Sequence, residues 1–126
     1  MTTDQPQSGR ELDKAIARRL GWEYIDDTTS ARWGAWENLV GDILQRPDPF
    51  STDDAAALAL LQQLCKPVEE GGRGWSGYRL AYTDKMYWTE ILPAQFIYKS
   101  KISLAHAASL AILAALEAET KTTNSP

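Results

Sequence analysis

A small α+β domain is the fold this sequence predicts, on three observations. Residues 8–22 and 50–67 read as punctuated amphipathic helices, residues 78–92 alternate about a short turn as a hairpin, and residues 104–119 are apolar nearly all round, as in a buried helix. With 126 residues, 44% hydrophobic and 24% charged, the chain has the size and composition of one globular domain, placed at residues 8–118. The polar, aperiodic ends, residues 1–7 and 120–126, read as flexible tails.

The first helix is predicted from SGRELDKAIARRLGW. Ser8 stands as cap with Glu11 three residues on, Leu12, Ala15, Ile16 and Leu20 share a face, Arg18 and Arg19 suit the negative dipole end, and Gly21 supplies the left-handed stop. Residues 22–35 hold Trp22, Tyr24, Ile25 and Trp33 around a turn-rich DDTTS, which suggests short extended pieces. Trp36, Leu39, Val40, Ile43 and Leu44 then recur at helical spacing, which predicts a helix ended by RPDP at 46–49. In FSTDDAAALALLQQLCKP, Ser51 is the expected cap, and Ala57, Leu60, Leu61 and Leu64 the buried face. Four of the eight glycines lie between Gly71 and Gly77, so that connection reads as a mobile lid. Beyond it, Tyr78, Leu80 and Tyr82 alternate with Arg79 and Ala81, TDK turns the chain, and Met86, Trp88 and Leu92 alternate with Tyr87, Thr89 and Ile91. Pro93 breaks the strand, residues 96–98 add an extended piece, and Ser103 caps the last helix. The apolar girth of that helix implies burial by the domain or by a neighbouring subunit, so a homo-oligomer is expected.

Charge is unevenly spread. Residues 73–101 carry five basic and two acidic residues and seven of the twelve aromatics, a net +3 inside a chain of net −4. The acidic whole disfavours binding to a nucleic-acid polymer, whereas the local patch suits a flat anionic ligand. Met1 is not followed by a charged and then apolar leader, and Cys65 is the only cysteine, so the expected compartment is cytoplasmic. The longest uncharged stretch, Ile102 to Leu116, is too short and alanine-rich for a membrane span.

The candidate ligand-binding residues are Tyr78, Arg79, Tyr82, Trp88, Lys99, Ser100 and Lys101. Lys99 and Lys101 flank Ser100 just before a helix start, where unpaired N–H groups and the positive dipole end favour an anion, and Arg79 or Arg73 would join them around a phosphate. Tyr78, Tyr82 or Trp88 would stack on a base. The bland reading of the same residues is that the aromatics pack a sheet against helices and the lysines solubilise a turn. One histidine, His106, and one cysteine cannot build a usual zinc site, and GGRGWSG lacks the Lys-Ser/Thr of a phosphate-binding loop. With no catalytic motif, binding without a cofactor or metal is expected rather than catalysis.

The succession SGRELDKAIARRLGW, FSTDDAAALALLQQL, a Trp-bearing hairpin and SLAHAASLAILAAL resembles the phage ABA sandwich domain family over residues 8–118. The likeness is closest at Glu11-Leu12-Asp13 with Gly21-Trp22, and at Ser51-Thr52-Asp53 with Ala55-Ala56-Ala57. It departs at residues 33–45, which read as helical where the family has irregular or extended chain, and at Ser103-Leu104-Ala105, where Thr-Pro-Leu-Ala is commoner. The resemblance implies an α/β/α sandwich, an antiparallel sheet packed between helices, in a small accessory protein acting in the host cytoplasm. It carries no catalytic residue set. Its phage setting raises the expectation that the chain sequesters a small anionic immune signal, a cyclic nucleotide or an ADP-ribose-type molecule. The alternative is a protein-interaction module that inhibits a host factor without a small ligand.

Overall fold

A computed structural model, which describes residues 9–92 and 96–124, has the α+β class expected: three helices and two three-stranded antiparallel sheets. Helix α1 (Arg10–Leu20) ends as its sequence dictates, with Gly21 at φ 97° and the Trp22 N–H turned back to the Ala17 carbonyl at 3.0 Å. The expected cap Ser8 lies outside the described residues, as do Pro93 and residues 1–7. Three two-residue strands follow, β1 (Glu23–Tyr24), β2 (Trp36–Glu37) and β3 (Ile43–Leu44), paired in the order β1-β2-β3. Their anchor is Trp36, fully buried, with Tyr24 at 5.3 Å between ring centroids and the Arg18 guanidinium 5.5 Å over its ring.

The helix predicted across residues 36–44 is a hairpin instead. Asn38 Oδ1 accepts the N–H groups of Val40 (3.1 Å) and Asp42 (2.9 Å), and Gly41 takes φ 91°, so the side chain closes a turn that the helix would need open. Leu39 and Val40, counted as core by their spacing, stand 67% and 80% exposed at its tip.

Helix α2 (Asp54–Leu64) is capped by Asp53, whose carboxylate accepts the N–H of Ala55 at 2.9 Å. Ser51, the expected cap, is buried elsewhere: its N–H donates to Asp13 Oδ1 (2.8 Å), and its Oγ accepts from the Gly9 N–H (2.7 Å). The two motifs on which the family resemblance rests, at residues 11–13 and 51–53, therefore meet and fix the start of α1 against the approach to α2.

The glycine-rich connection is tied down rather than lid-like. Arg73 and Gly74 donate their N–H groups to the Leu64 and Lys66 carbonyls at 2.9 and 2.8 Å. A Cβ on Gly72 would stand 2.1 Å from the Lys66 carbonyl oxygen, so only glycine fits this close approach. Glu119 on the last helix holds the connection from the other side, accepting from Arg73 Nη1 (2.6 Å) and from Trp75 Nε1.

Strands β4 (Gly77–Thr83), β5 (Met86–Leu92) and β6 (Phe96–Ser100) form an antiparallel meander, and helix α3 (Leu104–Asn124) returns across it. The helix runs on into residues 120–124, read from the sequence as part of a tail. Layering follows from α3's contacts: one side meets β5 and β6, the other meets α1 and α2. Its near-continuous burial is thus satisfied within the chain, by Leu12, Ile16, Leu61 and Ile91 among others. The helix, rather than the sheet, is the middle layer, and the far face of the β4–β6 sheet carries no covering element among the described residues.

Candidate functional site

Register assigns the two sheet faces. Opposed residues share a face in an antiparallel pair, and Tyr78 opposes Ile91, which opposes Phe96, while Leu80 opposes Thr89, which opposes Tyr98. This inner face meets α3: Ile91, Thr89 and Ser100 are buried, and Tyr78, Phe96 and Tyr98 pack partly buried on the core. The outer face is built from two complete rows, Arg79–Glu90–Ile97 and Ala81–Trp88–Lys99.

On that outer face the side chains make a mixed surface. Trp88 is half-buried and donates its indole N–H to the Thr83 carbonyl at 3.3 Å, which ties the ring to the hairpin turn. Lys99 Nζ lies 5.3 Å from the Trp88 ring centroid, a cation over a π face. Arg79 Nη1 is 3.8 Å from Glu90 Oε1, a loose pair whose arginine is largely exposed and whose energetic worth is small. Ile97 projects 53% exposed between them. A shallow depression of about 390 Å³ runs over Arg79, Ala81, Thr83, Trp88, Glu90 and Ile97.

The seven residues expected to share one ligand are split by this geometry. Arg79, Trp88 and Lys99 stand together on the outer face. Tyr78 and Tyr82 stand on the opposite face, with the Tyr82 ring 4.8 Å from that of Tyr87. Ser100 is buried, sharing a 2.7 Å hydrogen bond with His106 Nδ1 and accepting the Ile102 N–H at 2.9 Å. Lys101 is exposed past the end of β6. Arg73, the other cation considered for a phosphate, is engaged by Glu119.

The helix start beside Lys99 and Lys101 is also engaged. Ser103 caps α3 as expected, its Oγ accepting from the His106 N–H at 3.0 Å, and Asp54 Oδ1 accepts the Ala105 N–H at 2.8 Å. An anion approaching this end meets a carboxylate already seated there. The sequence signal for Asp54 was its place in the first turn of α2, which points to its own helix and hides its role at another.

Compared with known proteins, the chain matches no family model, no curated protein and no solved structure.

A second concavity, of about 510 Å³, lies between the Leu39–Val40 hairpin tip and α2, floored by Trp22, Phe50, Leu60 and Gln63. The Trp22 and Phe50 rings meet edge-on at 5.9 Å beneath it. Sequence reasoning missed it because it placed Leu39 and Val40 on a core helix face. Among the described residues no helix is long and apolar enough to cross a membrane, and no group of three or more His, Cys, Asp or Glu could hold a metal ion. Burial pushes the Cys65 thiol pKa up from its ordinary value, and the hydrogen bonds from Thr29 hold the Asp27 carboxyl below the usual carboxylate range.

Proposed function

We propose that this chain is a protein-interaction module that docks a partner protein on the outer face of the β4–β6 sheet. The observation that supports the reading is an uncovered sheet face with Trp88, Ala81 and Ile97 at its centre and the charges of Arg79, Glu90 and Lys99 around them. An apolar centre anchored by an aromatic and bordered by charge is the arrangement of interface hot spots. A shallow open surface suits a protein better than a small ligand, which needs a concave site around most of its area. Arg79 and Lys99 outnumber Glu90 on this face, so the fitting partner surface is apolar at its centre and acidic at its rim. The motif resemblance to phage accessory domains supplies the setting, with a host protein as the partner.

A second reading keeps the anionic ligand on a smaller set. Trp88 with Lys99 above its ring, one row from Arg79, combines a stacking platform with two cations, as a nucleotide-type signal would need. Capture from a bacterial lysate with the wild-type protein and with Trp88→Ala/Ile97→Asp separates the two. The first reading expects a specific protein that the double variant loses and that Lys99→Glu, which reverses one rim charge, holds only more weakly. A nucleotide recovered with the protein by native mass spectrometry, and lost on Lys99→Glu, would favour the second. Recovery of neither a protein nor a nucleotide would sink both.

A further inference from the structure

Strand β4 forms an edge of its sheet, pairing among the described residues with β5 alone. Thr83 opposes Met86 across a two-residue turn in which Asp84 and Lys85 have φ 53° and 63°, the type I′ geometry that makes the flanking residues a hydrogen-bonded pair. Counting back in twos, the backbone groups of Thr83, Ala81 and Arg79 point to β5. Those of Tyr78, Leu80 and Tyr82 point outward, a row of three unpaired N–H and C=O sets. The usual guards are missing from this edge: it has no proline and no lysine between Gly77 and Thr83, and its one charge, Arg79, leans back on Glu90. Strand β6, the other edge, is shorter and carries Lys99.

We infer that the outer edge of β4 pairs antiparallel with β4 of a second copy of this chain, about a twofold axis at Leu80, to give one six-stranded sheet. The register follows from the strand itself. Leu80 is the midpoint of Gly77–Thr83, so this centre alone uses all seven residues, and the spacing Tyr78-x-Leu80-x-Tyr82 is its own complement. Each Tyr78 then meets the partner's Tyr82, Leu80 meets the partner's Leu80, and these are the residues whose backbone groups face outward. Arg79 meets the partner's Ala81. A shift of the axis to Arg79 would oppose two guanidiniums, and a shift to Ala81 would bring Tyr78 against the partner's Asp84 in the turn.

Side-chain exposure points the same way. Because α3 lies over β5 and β6, the inner-face side chains of β4 project past it, with Leu80 36% and Tyr82 60% exposed. In the pair these side chains close against one another in the cleft between the two α3 helices. Both outer faces then lie on the same side of one continuous sheet, which doubles the surface carrying Trp88 and Lys99. The pairing stands apart from any partner of that face, and its test does not involve one.

Sedimentation of the purified full chain over a wide concentration series is expected to show conversion of the 14.0 kDa monomer to a species of twice that mass. Leu80→Lys, which guards the edge, should weaken that association at least about tenfold. The register is read by oxidation in a Cys65→Ser background. A hydrogen-bonded pair puts its Cα atoms about 5.5 Å apart, within disulfide reach, so Leu80→Cys should cross-link to itself. Tyr82→Cys, more than about 13 Å from the partner's equivalent residue, should not. A chain that stays monomeric throughout the series, or two cysteine variants that cross-link equally, would overturn the inference. Because the cross-link is read on folded protein that carries one cysteine and no lysine at position 80, a misfolded Leu80→Lys variant would leave the register test intact.

Discussion

Asp54, the first residue of α2, caps a different helix: its Oδ1 accepts the Ala105 N–H in the first turn of α3 at 2.8 Å. The contact spans 51 positions in the chain and joins the two helices at their positive ends. Asp54→Ala should cost about 1–2 kcal/mol, the usual price of a lost N-terminal cap. Asp54→Asn, which keeps an acceptor oxygen but gives up the charge, should cost less. Urea denaturation of the two variants checks the order, and equal losses would contradict it.

Two buried hydroxyls, Thr89 Oγ1 on the inner sheet face and Ser109 Oγ on α3, have no hydrogen-bond partner among the described residues. An unsatisfied buried hydroxyl costs more than the methyl group that would replace it. Thr89→Val and Ser109→Ala are each expected to raise stability by about 1 kcal/mol. Chemical denaturation reads the gain, and a loss in either variant would show that the hydroxyl is paired in solution.

The hairpin turn holds Asp84 and Lys85 in left-handed geometry, a conformation costing about 1–2 kcal/mol per residue for most side chains but less for Asp. Replacement by Asn-Gly keeps the two-residue turn and removes most of that cost. A gain of about 1 kcal/mol, seen as a rise of roughly 3–6 °C in Tm, is the expected result. A loss would mean that another turn is present in solution.

Partial burial favours the neutral thiol of Cys65, with no other cause acting on it. Alkylation at mildly alkaline pH should therefore be slower in the native protein than in urea, and the two rates should converge as pH rises past the native pKa. The sign for stability follows: the folded state keeps its proton to higher pH than the unfolded state, so stability is lost as pH rises from the ordinary thiol value through the native one. Cys65→Ser should flatten this alkaline decline. A native rate above the rate in urea would contradict the burial assigned to the thiol.

Legibility in the sequence tracked how local the governing interaction is. Helix α1 was readable because its stop, Gly21, and its apolar face lie within one segment, and the β4–β5 hairpin because alternation and turn length are local too. The stretch from Trp36 to Leu44 was misread because five apolar residues do sit at helical spacing, while one side chain, Asn38, closes a turn that no periodicity reports. The glycine-rich connection looked mobile by composition, yet it is held by Glu119, 46 positions from Arg73. The candidate site was half legible. Arg79, Trp88 and Lys99 were singled out, but Tyr78, Tyr82 and Ser100 were added to them because parity relative to a distant helix is invisible in one sequence, and Ile97 and Glu90 were passed over for the same reason.

The position of α3 bears on how the chain is made. It follows the other described elements in sequence and is the one against which α1, α2, β5 and β6 all pack. While synthesis has reached only the sheet, Leu12, Ile16, Leu61 and Ile91 have no common surface to close on. The nascent chain must therefore carry its apolar residues uncovered until Leu104–Leu116 leaves the ribosome. Closure of the core therefore waits for α3, and a fragment stopped short of it lacks the surface on which those residues meet.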